Sequence, residues 1–277
     1  MGLKPLISVC IPCYNNEEFI AGTLQSLLNQ SFSDFEIVVV DDKSTDRTLS
    51  VVQSFADPRI RLIQNDQNLG LAANWNRALS YSRGKYVKLL CGDDVLYPTC
   101  LARQAAILEA PANSNVVLAI CNREVIDSRN KVVLRRQLPF PAGLASGNKL
   151  IRESIRRGSN LVGEPAVGLF RREVLSQTAP CDPSNPYVVD LAFWAELLKH
   201  GDAFLDKECL AAFRITAKAA SAKIGRRQAA FFRKFIRTMR VDPFYKLGTC
   251  DQMLGYVLSF QWCVLRNAFM SFHFNLH

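Results

Sequence analysis

Two pairs of neighbouring aspartates stand where this sequence could do chemistry: Asp41-Asp42 behind the apolar run FEIVVV, and Asp93-Asp94 behind YVKLL. Adjacent carboxylates repel, so each pair costs free energy unless a positive group lies close by. Both pairs end strand-like runs, which argues against a solvated helix face. A hard divalent cation such as Mg²⁺ or Mn²⁺ takes oxygen ligands, commonly one or two carboxylates together with substrate phosphates. A turn that uses its Asp side chains for local backbone hydrogen bonds fits a single pair equally well. Cys91 and Gly92 precede the second pair, and a thiol is too soft to suit Mg²⁺. The nine cysteines are scattered, with Cys10 and Cys13 in one strand-like run. They are expected as reduced thiols acting as small hydrophobes, without zinc.

Something must bring these residues together. The run LISVCI at 6–11 predicts a buried strand. EEFIAGTLQSLLNQ at 17–30 predicts a helix, with Ile20, Leu24, Leu27 and Leu28 on one face and Asn15 or Asn16 as its cap. Further strands are expected at 35–40, 59–64, 86–90 and 115–121, with helices at 44–55 and 71–82. Strand–helix alternation with short connections predicts a parallel sheet wrapped by helices. In such sheets ligands sit beyond the carboxyl ends of the strands. IPCYNN, DDKSTD, NDQNLG and CGDD follow the first four strands in turn, so four polar loops are predicted to meet at one sheet edge. The second half is less regular. It predicts a helix at 150–156, a strand entering a short helix at 166–175, and a helix carrying Leu191, Trp194, Leu197 and Leu198 that stops at Gly201.

Composition narrows the partners. Of 277 residues 49% are hydrophobic and 21% charged, which is globular, and the net charge of +9 asks for an anionic partner. Nucleic acid, anionic lipid and a nucleotide diphosphate all fit. MGLKPLISVCIPCYN holds no apolar h-region before a cleavage site, so a cytoplasmic chain is expected. The loop after the first strand lacks G-x-G-x-x-G, which disfavours a dinucleotide-binding dehydrogenase. From about residue 217 basic residues dominate, Lys218, Lys223 and Arg226 through Lys246, with Phe231, Phe232, Phe235, Ile236 and Met239 at helical spacing. An aromatic-rich stretch follows at 253–274, interrupted by Gln261, Arg266 and Asn267 and so short of a clean transmembrane span. Residues 226–277 are expected as a basic amphipathic tail, docked at an anionic membrane on the inner face or packed as two helices on the main domain. Residues 1–225 form that domain, with a nucleotide-binding half at 1–121 and an acceptor and catalytic half at 122–225.

Over residues 5–221 the chain resembles the inverting nucleotide-sugar glycosyltransferases of family 2. ISVCIPCYNNEEFIAGTLQSLLNQSFSDFEIVVVDDKSTDRT is similar to that family's opening strand, helix and second strand. NLGLAANWNRALSYSRGKYVKLLCGDDVLYP is similar to its run into the acidic metal motif, and GLFRREVL, VVDLAFWAELLKHG and FRIT resume the likeness after a weak stretch at 123–161. The resemblance implies an α/β GT-A (Rossmann-like) fold, a mostly parallel sheet flanked by helices, with a helical C-terminal extension. It implies a UDP- or dTDP-type nucleotide-sugar donor, a saccharide or lipid-linked acceptor, Mn²⁺ or Mg²⁺, and no nucleic acid. By position it gives Pro12, Tyr14, Asn15 and Glu17 to the nucleotide pocket and Asp42 to the base N3–H. Asn68, Gly70, Asn74 and Asn76 approach nucleotide and sugar. Asp94 becomes the metal ligand with Asp93 beside it on metal, ribose or sugar, and Asp190 the catalytic base. Arg214 and Ser221 meet the diphosphate. The chain departs from the pattern at Cys91, where many relatives carry an acid, at Val189 in place of Glu, and at Thr216 in place of His. Those departures also admit a catalytically degenerate nucleotide-sugar binder.

Overall fold

The first strand, β1 (Ile7–Cys13), is buried at all seven positions. It pairs in parallel with a neighbour on each edge, so it needs a continuous apolar run where a one-faced strand would alternate. The computed structural model to which it belongs describes residues 4–216 and 224–275. Lys218, Ser221 and Lys223 lie outside the described residues.

β2 (Phe35–Asp41), β3 (Ile60–Gln64) and β4 (Tyr86–Leu89) complete the parallel half. Its register decides where the loops emerge. Cys13 pairs with Asp41 and Asp41 with Gln64, so three strands end level; β4 aligns Leu89 with Cys10 and ends beside them. β5 (Val95–Leu96), β6 (Val116–Ile126), β7 (Val132–Arg136), β8 (Gly143–Ala145), β9 (Gly168–Arg171) and β10 (Asp202–Arg214) bring the sheet to ten strands. The order is β3-β2-β1-β4-β9-β6-β10-β5, with β7 on β6 and β8 on β10. β9 runs antiparallel to both β4 and β6, and β10 runs parallel to β6. Six strands therefore share one direction, and the sheet is mixed but mostly parallel.

The helices arise where three- and four-residue apolar spacing predicts them, with shifted ends. α1 (Ile20–Leu28) starts later than expected, and no side chain caps it. The Asn16 backbone carbonyl accepts from Phe19 and Ile20, while its side chain accepts the Tyr14 N–H at 3.0 Å. α2 (Thr48–Gln53) is short because residues 44–47 are used to tie loops together. α3 (Leu71–Ser80), α4 (Cys100–Glu109), α5 (Gly147–Arg156) and α6 (Val189–Leu197) cover the sheet. β6 runs five residues past the expected end at Cys121, carrying Asn122, Arg123 and Glu124 into the interior.

The C-terminal region divides in two. α7 (Gln228–Val241) buries Phe232, Phe235, Ile236 and Met239 in the main hydrophobic core, so its apolar stripe belongs to the domain. α8 (Thr249–Asn275) packs against α5 and α7. No helix among the described residues is long and apolar enough to cross a membrane.

Candidate active site

The first two loops are fastened to each other. Asn15 sits at φ 52°, in the left-handed region that Asn tolerates better than most residues. Its N–H donates to Ser44 Oγ at 2.9 Å and its side chain accepts the Thr45 N–H at 2.8 Å. Glu17 accepts from the Arg47 N–H and Nε, both at 3.0 Å. Pro12 is buried in β1, whereas Tyr14 is 46% exposed and offers its ring to whatever enters between these loops.

Asp42 is buried and gathers the third loop. Its carboxylate accepts the Leu69 and Gly70 N–H groups at 2.8 and 2.9 Å and Asn65 Nδ2 at 2.7 Å. Asn68 reaches the Asp42 carbonyl, and Gly70, at φ 82°, opens α3. Asn74 is neither exposed nor at the pocket mouth: it is buried, accepting from Asn65 and donating to the Val40 carbonyl. Asn76 bonds both backbone groups of Cys181. Asp42, Asn68, Asn74 and Asn76 thus tie the loops at the strand ends to one another.

The acidic loop lies between the β4 end and β10. β5 pairs antiparallel with β10, which carries the Arg214 N–H to Asp94 Oδ1 at 3.0 Å. Thr23 of α1 holds the Asp94 carbonyl at 2.8 Å. Gly92 lies so near the first loop that an added Cβ would stand 3.0 Å from Asn16 Oδ1. Asp94 is fully buried, and its Oδ2 has no hydrogen-bond partner. Burial and the neighbouring Asp93 raise its proton affinity well above the carboxylate range, and burial raises that of Asp93. Ligating atoms of Cys91, Asp93 and Asp94 lie within 4.8 Å of one another. An orphaned buried carboxylate oxygen beside a second carboxylate fits a hard cation. The Cys91 thiol does not, because burial and the acids around it keep it protonated.

Arg214 is bonded within the protein. Its guanidinium is buried over the Phe19 ring at 4.6 Å and donates to the carbonyls of Asp93 (2.8 Å) and Asp127 (2.6 Å) and to Asn130 Oδ1 (2.7 Å). It clamps the acidic loop to the β6–β7 turn. Ser221 lies outside the described residues.

Asp190 occupies the first turn of α6 but is not its cap, which is Val188. Its oxygens accept the Leu191 N–H at 2.7 Å and Asn160 Nδ2 at 2.9 Å. Asn160 is held in turn by both backbone groups of Gly163, whose carbonyl also takes Trp194 Nε1 at 2.8 Å. Burial and then the charge of Glu164 push the Asp190 pKa up to about 7. Glu164 itself stays ionised: against the burial that would raise it, Arg123 and Arg136 hold it below the usual range, and Arg123 pairs with it directly.

Sequence reasoning missed Glu164, Arg123 and Asn160. The signals were an acid between Gly163 and Pro165, and charged residues continuing an apolar strand run. What joins the two acidic groups is Cys91. After burial, the charges that raise its thiol are those of Asp94, Asp93, Asp190 and Glu164. The acids of the loop after β4, of α6 and of the 164 loop therefore lie near enough for their charges to bear on one thiol, and of these Asp93 and Asp94 are its immediate neighbours.

Comparison with known proteins agrees with this architecture. The Glycosyl transferase family 2 model matches residues 8–178. The chain belongs to glycosyl transferase family 2. It is 32% identical over 253 residues to MT1568 of Mycobacterium tuberculosis, covering 87% of this chain and 77% of that protein. It is 32% identical over 127 residues to WfgD of Escherichia coli, a UDP-Glc:alpha-D-GlcNAc-diphosphoundecaprenol beta-1,3-glucosyltransferase, covering 46% of this chain and 49% of that enzyme. Among solved structures, the mannosyltransferase PcManGT of Pyrobaculum calidifontis, in complex with GDP-Man and Mn²⁺, superposes with a TM-score of 0.66. That match is 20% identical and covers 96% of this chain and 74% of the other. The family is inverting, and this family 2 glycosyltransferase has the GT-A fold.

Proposed function

We propose that this glycosyltransferase moves a sugar from a UDP- or dTDP-type nucleotide donor to a saccharide or lipid-linked acceptor in cell-surface glycan synthesis. The observation that carries the reading is the buried, unpartnered Asp94 Oδ2 beside Asp93 at the carboxyl end of the parallel strands, with the Asp190 charge near enough to bear on the adjoining Cys91. WfgD, whose name gives a UDP-sugar donor and a diphosphoundecaprenol acceptor, supports the donor and acceptor classes. The Mn²⁺ in PcManGT supports the metal.

Inverting transfer is one displacement. The acceptor oxygen bonds the anomeric carbon as the bond to the donor's diphosphate oxygen breaks, and the nucleoside diphosphate leaves with the electron pair. The acceptor hydroxyl proton goes to Asp190, whose affinity near neutrality suits a general base. Asn160 and the Leu191 N–H fix that carboxylate so that its proton-accepting direction is set before the acceptor arrives. Asp94 and Asp93 would hold Mn²⁺ or Mg²⁺, which when bound supplies positive charge for the leaving diphosphate. Tyr14 packs against the base or ribose, and Asp42 faces the base while its loop contacts shape the pocket floor.

A thermal-shift panel of nucleotide sugars with and without Mn²⁺ tests this reading. The expected result is stabilisation by a UDP- or dTDP-sugar only when Mn²⁺ is present, lost in Asp94→Asn. Equal turnover by Asp94→Asn, Asp190→Asn and the natural chain would remove the mechanism. Donor binding without any turnover would favour the degenerate binder that Cys91 and Val189 suggest.

A further inference from the structure

α8 is amphipathic in the reverse sense for a surface helix. The face against α5 and α7 carries Asp251, Ser259 and Cys263, all buried. The opposite face carries Met253, Leu254, Val257, Phe260, Val264 and Leu265 at three- and four-residue spacing, each between 44 and 59% exposed. No Asp or Glu occurs from 252 to 275. The helix cannot roll to hide this ridge. Gly158, at φ +61°, lies against the Ser259 backbone with no room for a side chain, and a Cβ on Gly255 would meet the Ile155 carbonyl at 2.5 Å. Trp262 Nε1 donates to the Arg157 carbonyl at 3.0 Å, pinning the same side.

Basic side chains flank the ridge from both neighbours. On the α7 side Arg240 bonds Gln252, Arg237 lies beside Tyr256, and both arginines are exposed. On the α5 side stand Arg152, Arg156 and Arg157, against Asp251 and Glu153. A contiguous apolar face of this kind marks an interaction surface. Two copies meeting through it would press these arginines together, whereas anionic headgroups would neutralise them.

We propose that the outward face of α8 docks on an anionic lipid bilayer, its six apolar side chains entering the headgroup–acyl boundary while the flanking arginines meet lipid phosphates. The helix lies in the interface plane and does not span it. This deepens the expected membrane contact of the C-terminal region by removing α7's apolar stripe from it.

Flotation of the full chain with phosphatidylglycerol–phosphatidylcholine vesicles is the test, and it reads no turnover, so it stands or falls apart from the sugar chemistry. The natural chain should float with the mixed vesicles and much less with pure phosphatidylcholine. Val257→Glu with Phe260→Glu should lower the floated fraction about tenfold or more, with an unchanged melting temperature because both sites face solvent. Leu254→Gln with Leu265→Gln repeats the comparison with a gentler change, and Arg237→Glu with Arg240→Glu reads the charge. Equal flotation of natural and ridge variants overturns the proposal. So does a natural chain that stays out of the lipid fraction, or a dimer in sedimentation velocity that the ridge variants dissolve without any effect on flotation.

Discussion

As the proposed base, Asp190 has to be unprotonated when the acceptor arrives and must hold a proton once the new bond forms. With its pKa raised to about 7 by burial and by Glu164, the carboxylate does both near neutrality. Turnover should therefore fall as pH drops below about 7, roughly tenfold per unit, as the base fills with protons. The Asn160 hydrogen bond favours the charged form. Asn160→Ala should move the acidic limb of the kcat/KM profile to higher pH, and an unmoved limb would assign that titration to another group. Asp190→Asn should cut kcat by about 10²–10⁴-fold and leave donor binding nearly unchanged. The same raised affinity predicts a stability effect. An acid that stays protonated in the fold above its ordinary 3.8 weakens the fold as pH rises from there to about 7. Asp190→Asn should then melt higher than the natural chain at pH 8, with the difference shrinking towards pH 4.

Among the elements, β10 decides whether the acidic loop has a shape at all. Its end supplies the N–H that Asp94 accepts, and Arg214 ties the Asp93 carbonyl to the β6–β7 turn. Arg214→Ala leaves buried carbonyls without donors, at a cost of about 2–4 kcal/mol in urea unfolding, with loss of any Mn²⁺-dependent thermal shift. Arg214→Lys should recover only part, since an ammonium cannot span three separated acceptors. The loop that orients Asn160 depends on a glycine. Gly163 sits at φ +113°, and a Cβ there would stand 2.8 Å from Arg123 Nη1. Gly163→Ala should therefore disturb both the Arg123–Glu164 pair and the Asn160 contact, costing about 1–3 kcal/mol and more in turnover than in donor binding.

For the molecule as a whole, the cost of the site is several acids concentrated at one sheet edge. Asp93 and Asp94 both have raised affinities for protons, so without a cation the fold should lose stability as pH rises above the ordinary carboxylate value of 3.8. Carboxylates held low, such as Asp57 by the Arg59 side chain and Glu109 by Lys85, weaken the fold only at more acidic pH and leave that window clear. Differential scanning calorimetry should show a lower melting temperature at pH 8 than at pH 6 in chelator. Mn²⁺ should narrow the gap, and Asp94→Asn should shrink both the gap and the Mn²⁺ response.

Periodicity and punctuation were enough to determine the parallel half of the fold. β1, β2 and β4 read as largely apolar runs because they are buried along their whole length, β3 is the half-buried edge, and their polar loops were legible as a group because parallel strands release their carboxyl ends on one side. Asp94 and Asp190 were singled out by the family resemblance, and each stands at a strand end or helix start that the sequence marks. What the chain order hides is everything that reaches the site from afar. Arg123 and Glu164 meet only because β6 continues past its apolar stretch, and Arg214 turns inward only because β10 runs along β6 and grips β5. The fate of the C-terminal helices was equally beyond linear pattern. Both α7 and α8 are amphipathic in sequence, but which apolar face is covered depends on where the core has room, and close backbone approach at Gly158 and Gly255 leaves α7 inside and the ridge of α8 facing out.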